Sequence, residues 1–323
     1  MKSGGNLKKV NPREFLSRPP AIPHTIVGNV RHFTGVRSEV LDNQRDVWVY
    51  LPAGYDGRAR RRYPVLYCQD GQNMMDAATA FLGVEWQLDE CLEQGIAAGE
   101  IEPLIAVCVS NTPRRAYEYT PVRDSIMGGG GADAYVRFLT EELKPLIDER
   151  FRTLPEPEHT GTIGSSLGGL LSLHIALNHS HRFGRVGAVS PSYGWAQGEI
   201  LQRMAALRTP PPVRLWIDMG TREGPSHLHP NPLVQAGRFA RNMLMAAGMR
   251  LDGDLAYIEA PFSDHNEAAW ASRLPKIMRF LFPGPNLATQ TRSTRAAVRS
   301  RVRRTRRPPK KSRPTTSRPQ GRQ

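Results

Sequence analysis

Cysteine is scarce in this chain, with three among 323 residues. Cys68 and Cys108 fall in apolar, strand-like runs and Cys91 in a helix-like one. So sparse and odd-numbered a set gives no disulfide framework and fits a reducing compartment. Long apolar runs are missing as well: none reaches the roughly 18–20 residues needed to span a bilayer. The opening MKSGGNLKKVNPREF has no apolar stretch of the kind a secretory signal requires. Internal repeats are absent too. Together these absences lead us to expect a soluble, cytoplasmic protein without a transmembrane segment.

Acidic residues are missing from position 289 onward, where 11 arginines and 2 lysines supply +13 of the formal +14 charge. Residues 1–288 therefore carry a formal charge of +1, and the basicity is a property of one end of the chain. That end also lacks aromatics and is rich in Pro, Ser and Thr, so it cannot bury enough apolar surface to offset its ordering entropy. A disordered basic tail is expected over 285–323, after an N-terminal extension over 1–30 and a folded domain over 31–284. Such a tail is either a solvated appendage or a non-specific polyanion contact through residues 289–323, drawn to nucleic acid or an anionic membrane by counterion release. No base-reading motif accompanies it. Deleting residues 289–323 should abolish salt-sensitive retention on heparin and leave the activity of the body intact. Loss of activity on deletion would refute this separation of tail from body.

Between about residues 30 and 283, short β-rich runs alternate with amphipathic helical ones, the pattern of an α/β layered domain. Eight strands are expected, at 33–41, 46–52, 63–70, 103–110, 159–165, 185–190, 212–220 and 254–260. The first few should form a meander. Helices near 84–97, 132–151, 196–207, 231–247 and 266–281, with another beginning near Ser166, join the rest into a mostly parallel sheet covered on both faces. Sheets of this kind place ligands at the carboxyl ends of their strands, which directs attention to residues just past those ends.

One such place is HTGTIGSSLGGLLSLH, residues 159–174. Its single G-x-S-x-G frame, Gly164 to Gly168, centres on Ser166 between a strand and a helix, the setting that motif requires. The turn strains the serine backbone, and small flanking residues let strand and helix approach. The following helix also points its positive N-terminal end at the serine. A nucleophilic serine needs a base, and the base needs an acid to fix its tautomer. Of nine histidines, only His265 follows the last strand. The HLH at 227–229 has no carboxylate or cysteine pattern to support a metal. Two acids compete for the third role: Glu223, in MGTREG just past the seventh strand, and Asp218, still within it. Position favours Glu223 and leaves Asp218 open. The backbone N–H of Leu167 and one from Gly71–Gln72, in the loop after the third strand, are the candidate oxyanion donors.

The segments VYLPAGY, YPVLYCQDGQN, RRAYEYTP, YVRFLTEELKPLID, TGTIGSSLGGL, VSPSYGW, MGTREG and DHNEAAWASRLPKIMRFLF resemble, in combination, one esterase family of α/β-hydrolases. That family includes enterochelin esterases, feruloyl and acetylxylan esterases, S-formylglutathione hydrolase and the mycolyltransferases. The resemblance runs from residue 46 to 282. It implies a Ser–acid–His ester hydrolase with no metal or organic cofactor, with Ser166 as nucleophile, Glu223 as acid and His265 as base. It places the QDGQN loop at the oxyanion hole. We expect neither the separate N-terminal domain of large enterochelin esterases nor an attached carbohydrate-binding module.

Only about 20 residues separate the strands at 185–190 and 212–220, too few for a large lid. An open cleft suits bulky or polar esters of siderophore, feruloyl or acetyl-sugar type. Tyr193 and Trp195, just past a strand end, are candidates to stack on a substrate ring, and Arg115 and Tyr119 to line the cleft. An acyltransferase using the same acyl-enzyme, and a polyanion-binding protein whose hydrolase body is incidental, are the competing functions.

Overall fold

The computed structural model describes residues 22–58, 60–224 and 231–287. The basic tail and the HLH at 227–229 lie outside them. In chain order the strands are β1 (Asn29–Ser38), β2 (Asn43–Leu51), β3 (Val65–Cys68), β4 (Ile105–Val109), the two-residue pair β5 (Arg123–Asp124) and β6 (Gly128–Gly129), β7 (Thr160–Ser165), β8 (Arg185–Val189), β9 (Arg214–Gly220) and β10 (Leu255–Ala260). The helices are α1 (Leu88–Ala97), α2 (Arg115–Glu118), α3 (Ala132–Arg137), α4 (Lys144–Arg150), α5 (Leu167–Asn178), α6 (Glu199–Ala205), α7 (Pro232–Ala246) and α8 (Glu267–Leu281). One wider π turn over Phe138–Leu143 joins α3 to α4.

Eight strands form one sheet in the order β1-β2-β4-β3-β7-β8-β9-β10, with β5 and β6 paired apart. Within that sheet the pairs β1/β2 and β2/β4 are antiparallel and the others are parallel. This is the mostly parallel α/β-hydrolase sheet, with one difference from expectation. The meander stops after β1 and β2, because β4 inserts between β2 and β3. Burial explains the insertion: all four residues of β3 are buried, so the strand needs a neighbour on each edge as well as cover on each face.

Side-chain alternation sends apolar residues to both faces. Val47, Val49, Val65, Tyr67, Ile105 and Val107 pack toward α3 and α4. Trp48, Tyr50, Leu66, Cys68, Ala106 and Cys108 face α1 and α8. Cys68, Cys91 and Cys108 are all free thiols. No helix among the described residues is long and apolar enough to cross a membrane. The parallel strands β3, β7, β8, β9 and β10 thus end side by side, and the loops leaving them meet at one edge.

Candidate active site

Ser166 sits between β7 and α5 with φ 58° and ψ −118°, a conformation that L-residues avoid and that costs on the order of 1–3 kcal/mol. The surroundings impose it. A Cβ on Gly164 would lie 2.9 Å from the Gly168 backbone, so the strand and helix can cross this closely only with glycine there. The Ser166 N–H donates to the Val189 carbonyl at 3.1 Å, and Ser192 N–H donates to the Ser166 carbonyl at 3.0 Å, pinning the turn to the end of β8. The Ser166 hydroxyl lies 3.3 Å from that of Ser192.

His265 occupies the turn between β10 and α8. Its Nδ1 lies 2.7 Å from Glu223 Oε2. A carboxylate only accepts, so Nδ1 carries the proton and Nε2 is left as the basic nitrogen. The Glu223 side chain is fully buried while the imidazole is partly exposed. The other oxygen, Oε1, accepts from Ser190 Oγ at 2.5 Å and from Gly220 N–H at 2.7 Å. Asp218 is fully buried too, but it faces away from the imidazole. It accepts from Trp216 Nε1 at 2.7 Å and Ser190 N–H at 3.1 Å, and pairs with Arg273 at 3.3 Å. Burial pushes its carboxyl upward, and the guanidinium opposes that shift. The carboxylate against His265 is therefore Glu223.

Behind this pair lies a group of residues that the sequence reading did not single out. Ser190 Oγ also accepts from Arg273 Nη2 at 2.8 Å and from Trp270 Nε1 at 3.2 Å. The Trp270 ring meets His265 edge-on, 4.9 Å between centroids. Arg273 bridges Asp218 and Glu223, lying 3.8 Å from Glu223 Oε1. Trp270 and Arg273 are three residues apart on α8, one turn beyond His265, so helical spacing was the available signal.

The loop after β3 turns at Asp70, which adopts a left-handed conformation (φ 53°). Gly71 is buried, and a Cβ there would come within 2.2 Å of the Cys108 carbonyl carbon, so the loop rests directly on the backbone of β4. The N–H groups of Gln72 and Leu167 donate to no acceptor among the described residues. Arg115 holds Asp70 through two bonds of 2.7 Å, and Asn111 adds a third at 2.6 Å.

A cleft of about 470 Å³ opens over Ser166 and His265, walled by Phe81, Trp86, Trp270 and Arg115. A more apolar cavity of about 400 Å³ lies on the other side of His265, lined by Met127, Leu167, Tyr193, Trp195 and Leu233. Arg115 reaches the cleft with 28% of its side chain exposed. Tyr119 does not line it: fully buried, its hydroxyl accepts from Asp70 N–H at 3.1 Å beneath Arg115. Tyr193 and Trp195 line the second cavity at 1% and 6% exposure, and Trp195 Nε1 donates to Val122 O at 2.8 Å. They offer edges to a ligand more than open ring faces.

Residues 38–281 match the family model described as "Putative esterase". An endo-1,4-beta-xylanase/feruloyl esterase from Xylanibacter ruminicola is 27% identical over 259 residues, 79% of this chain and 31% of that protein. The iron(III) enterobactin esterase of Dickeya dadantii is 25% identical over 263 residues, 77% of this chain and 54% of that protein. The matches thus span about a third and about half of these two curated relatives. The crystal structure of an enterobactin esterase from Shigella flexneri has the same fold, with a TM-score of 0.63 at 20% identity over 81% of this chain and 62% of that one.

Proposed function

This chain belongs to the esterase family of carboxylic ester hydrolases, and we propose that it works through Ser166, His265 and Glu223 on bulky or polar esters of siderophore, feruloyl or acetyl-sugar type. The observation that carries the reading is the 2.7 Å contact of buried Glu223 with His265, in the cleft that also exposes Ser166.

His265 Nε2 takes the Ser166 proton as Oγ attacks the ester carbonyl carbon. The charge that appears on the imidazolium faces Glu223, whose remaining oxygen is held by Ser190 and Gly220. Two backbone N–H groups without acceptors, from Leu167 and Gln72, are available for the oxyanion. The intermediate collapses, and His265 returns its proton to the departing alcohol. Water, deprotonated by the same nitrogen, then cleaves the acyl-Ser166 ester. Asp218, Arg273 and Ser190 hold the acid in place for this step.

The names of the relatives support the substrate class, as do the aromatic walls Phe81, Trp86 and Trp270 and the short link from β8 to β9, residues 190–213, which carries the seven-residue α6. Incubation with an alkyl fluorophosphonate should add one phosphonyl group to the peptide containing Ser166. A panel of feruloyl, acetyl-sugar and catecholate-siderophore esters should then show kcat/KM for at least one well above that for p-nitrophenyl acetate. Labelling elsewhere, with Ser166 unmodified, would remove the proposed nucleophile.

A further inference from the structure

We propose that Glu85, Asp89 and Glu90 bind a hard divalent cation, Ca²⁺ in preference to Mg²⁺, which fastens the 22–28 segment to the wall of the cleft. One carboxylate oxygen from each of the three lies within 4.8 Å of the others. A cluster of acids alone would mean little; the decisive feature is how its oxygens are used. Thr25 donates its hydroxyl to Glu85 Oε1, and Val27 N–H donates to Asp89 Oδ2 at 2.7 Å. The remaining oxygens, Glu85 Oε2, Asp89 Oδ1 and Glu90 Oε2, are buried with no hydrogen-bond partner among the described residues. Glu85 and Asp89 are 7% and 0% exposed, so water does not satisfy them from outside.

Buried carboxylates without partners are costly to ionise. A divalent ion reverses that penalty. An all-oxygen set selects a hard cation. Ca²⁺ takes six to eight oxygens at roughly 2.3–2.6 Å, so ligands across one ion stand roughly 5 Å apart, whereas Mg²⁺ demands a tighter octahedron at about 2.0–2.1 Å. A second cluster shows the contrast. Asp133 Oδ1 already bonds His174 Nε2 at 2.8 Å and His179 Nε2 at 3.0 Å, so the facing atoms there satisfy one another.

The site lies outside the chemistry of Ser166 yet touches its wall. Glu85 precedes Trp86, whose ring is 5.8 Å from that of Trp270, the residue edge-on to His265. An ion on Glu85 would thus stiffen both the 22–28 segment and the aromatic side of the cleft.

The test uses the full chain stripped with EDTA. Tb³⁺ should show luminescence sensitised through Trp86, and Ca²⁺ should displace it more effectively than Mg²⁺. Ca²⁺ at about 1 mM should raise the melting temperature by about 4 °C or more over EDTA. Asp89→Asn and Glu90→Gln should each weaken Tb³⁺ binding at least tenfold. The wild-type measurement stands even if a variant fails to fold. Absence of sensitised luminescence, together with a melting temperature indifferent to Ca²⁺, overturns the proposal. A shared proton, or a basic side chain outside the described residues, would then be what holds the carboxylates.

Discussion

Replacing Ser166 with alanine should lower kcat/KM for short p-nitrophenyl esters by about 10⁴-fold or more, with the melting temperature nearly unchanged. The two halves of this expectation have separate causes. Activity falls because the nucleophilic hydroxyl is lost; Ser165 also lines the cleft but belongs to β7, and Ser192, 3.3 Å from Ser166, follows β8. Stability barely moves because the Ser166 side chain makes only that one long contact. The strained backbone (φ 58°) is as unfavourable for alanine as for serine. The N–H groups of Leu167 and Gln72 survive the substitution, so a residual rate above that in water should remain. An alanine variant as active as wild type would sink the mechanism.

A comparison of Glu223→Gln with Asp218→Asn should separate the two buried acids. Glu223→Gln keeps the shape but loses a charge. With Oε1 already committed to Ser190 and Gly220, the new amide nitrogen is driven toward His265 Nδ1. A donor there forces the proton onto Nε2, the nitrogen that has to accept one from Ser166. We expect kcat to fall about 10³–10⁴-fold with KM little changed. Asp218→Asn should do the opposite. The substitution removes the charge-assisted contact with Arg273, which keeps Glu223 at 3.8 Å, so stability should drop by about 2 kcal/mol. With Glu223 still against the imidazole, kcat should fall by less than about tenfold, a change of only about 1.4 kcal/mol in the barrier. Denaturant melts and steady-state kinetics on both variants decide it: the reverse pattern would transfer the acid's role to Asp218.

What the sequence revealed was local. Gly164 and Gly168 around Ser166 spell out a strand–turn–helix because sterics there are decided within five residues. His265 and Glu223 stood out because each follows the end of an apolar run. The insertion of β4 between β2 and β3 was not legible, since strand order depends on which edges must be covered and periodicity carries no such information. The same holds for the group behind Glu223. Ser190 directly follows β8, whereas Arg273 lies 83 residues later on α8, and only the closed sheet brings them to 2.8 Å. Tyr119 was misjudged because it shares a face with Arg115, four residues earlier, and lies beneath that guanidinium, which covers it from the cleft.

The contact between Gly71 and the β4 backbone has a bearing on how this scaffold can be reprogrammed. Because no side chain of any kind fits at that position, the donor loop is in effect part of the sheet and closed to variation. Freedom to change preference lies instead at the rim, where Phe81 and Met127 stand 61% and 60% exposed on the two cavities. Libraries aimed at new esters should therefore leave residues 69–73 untouched and diversify Phe81 and Met127.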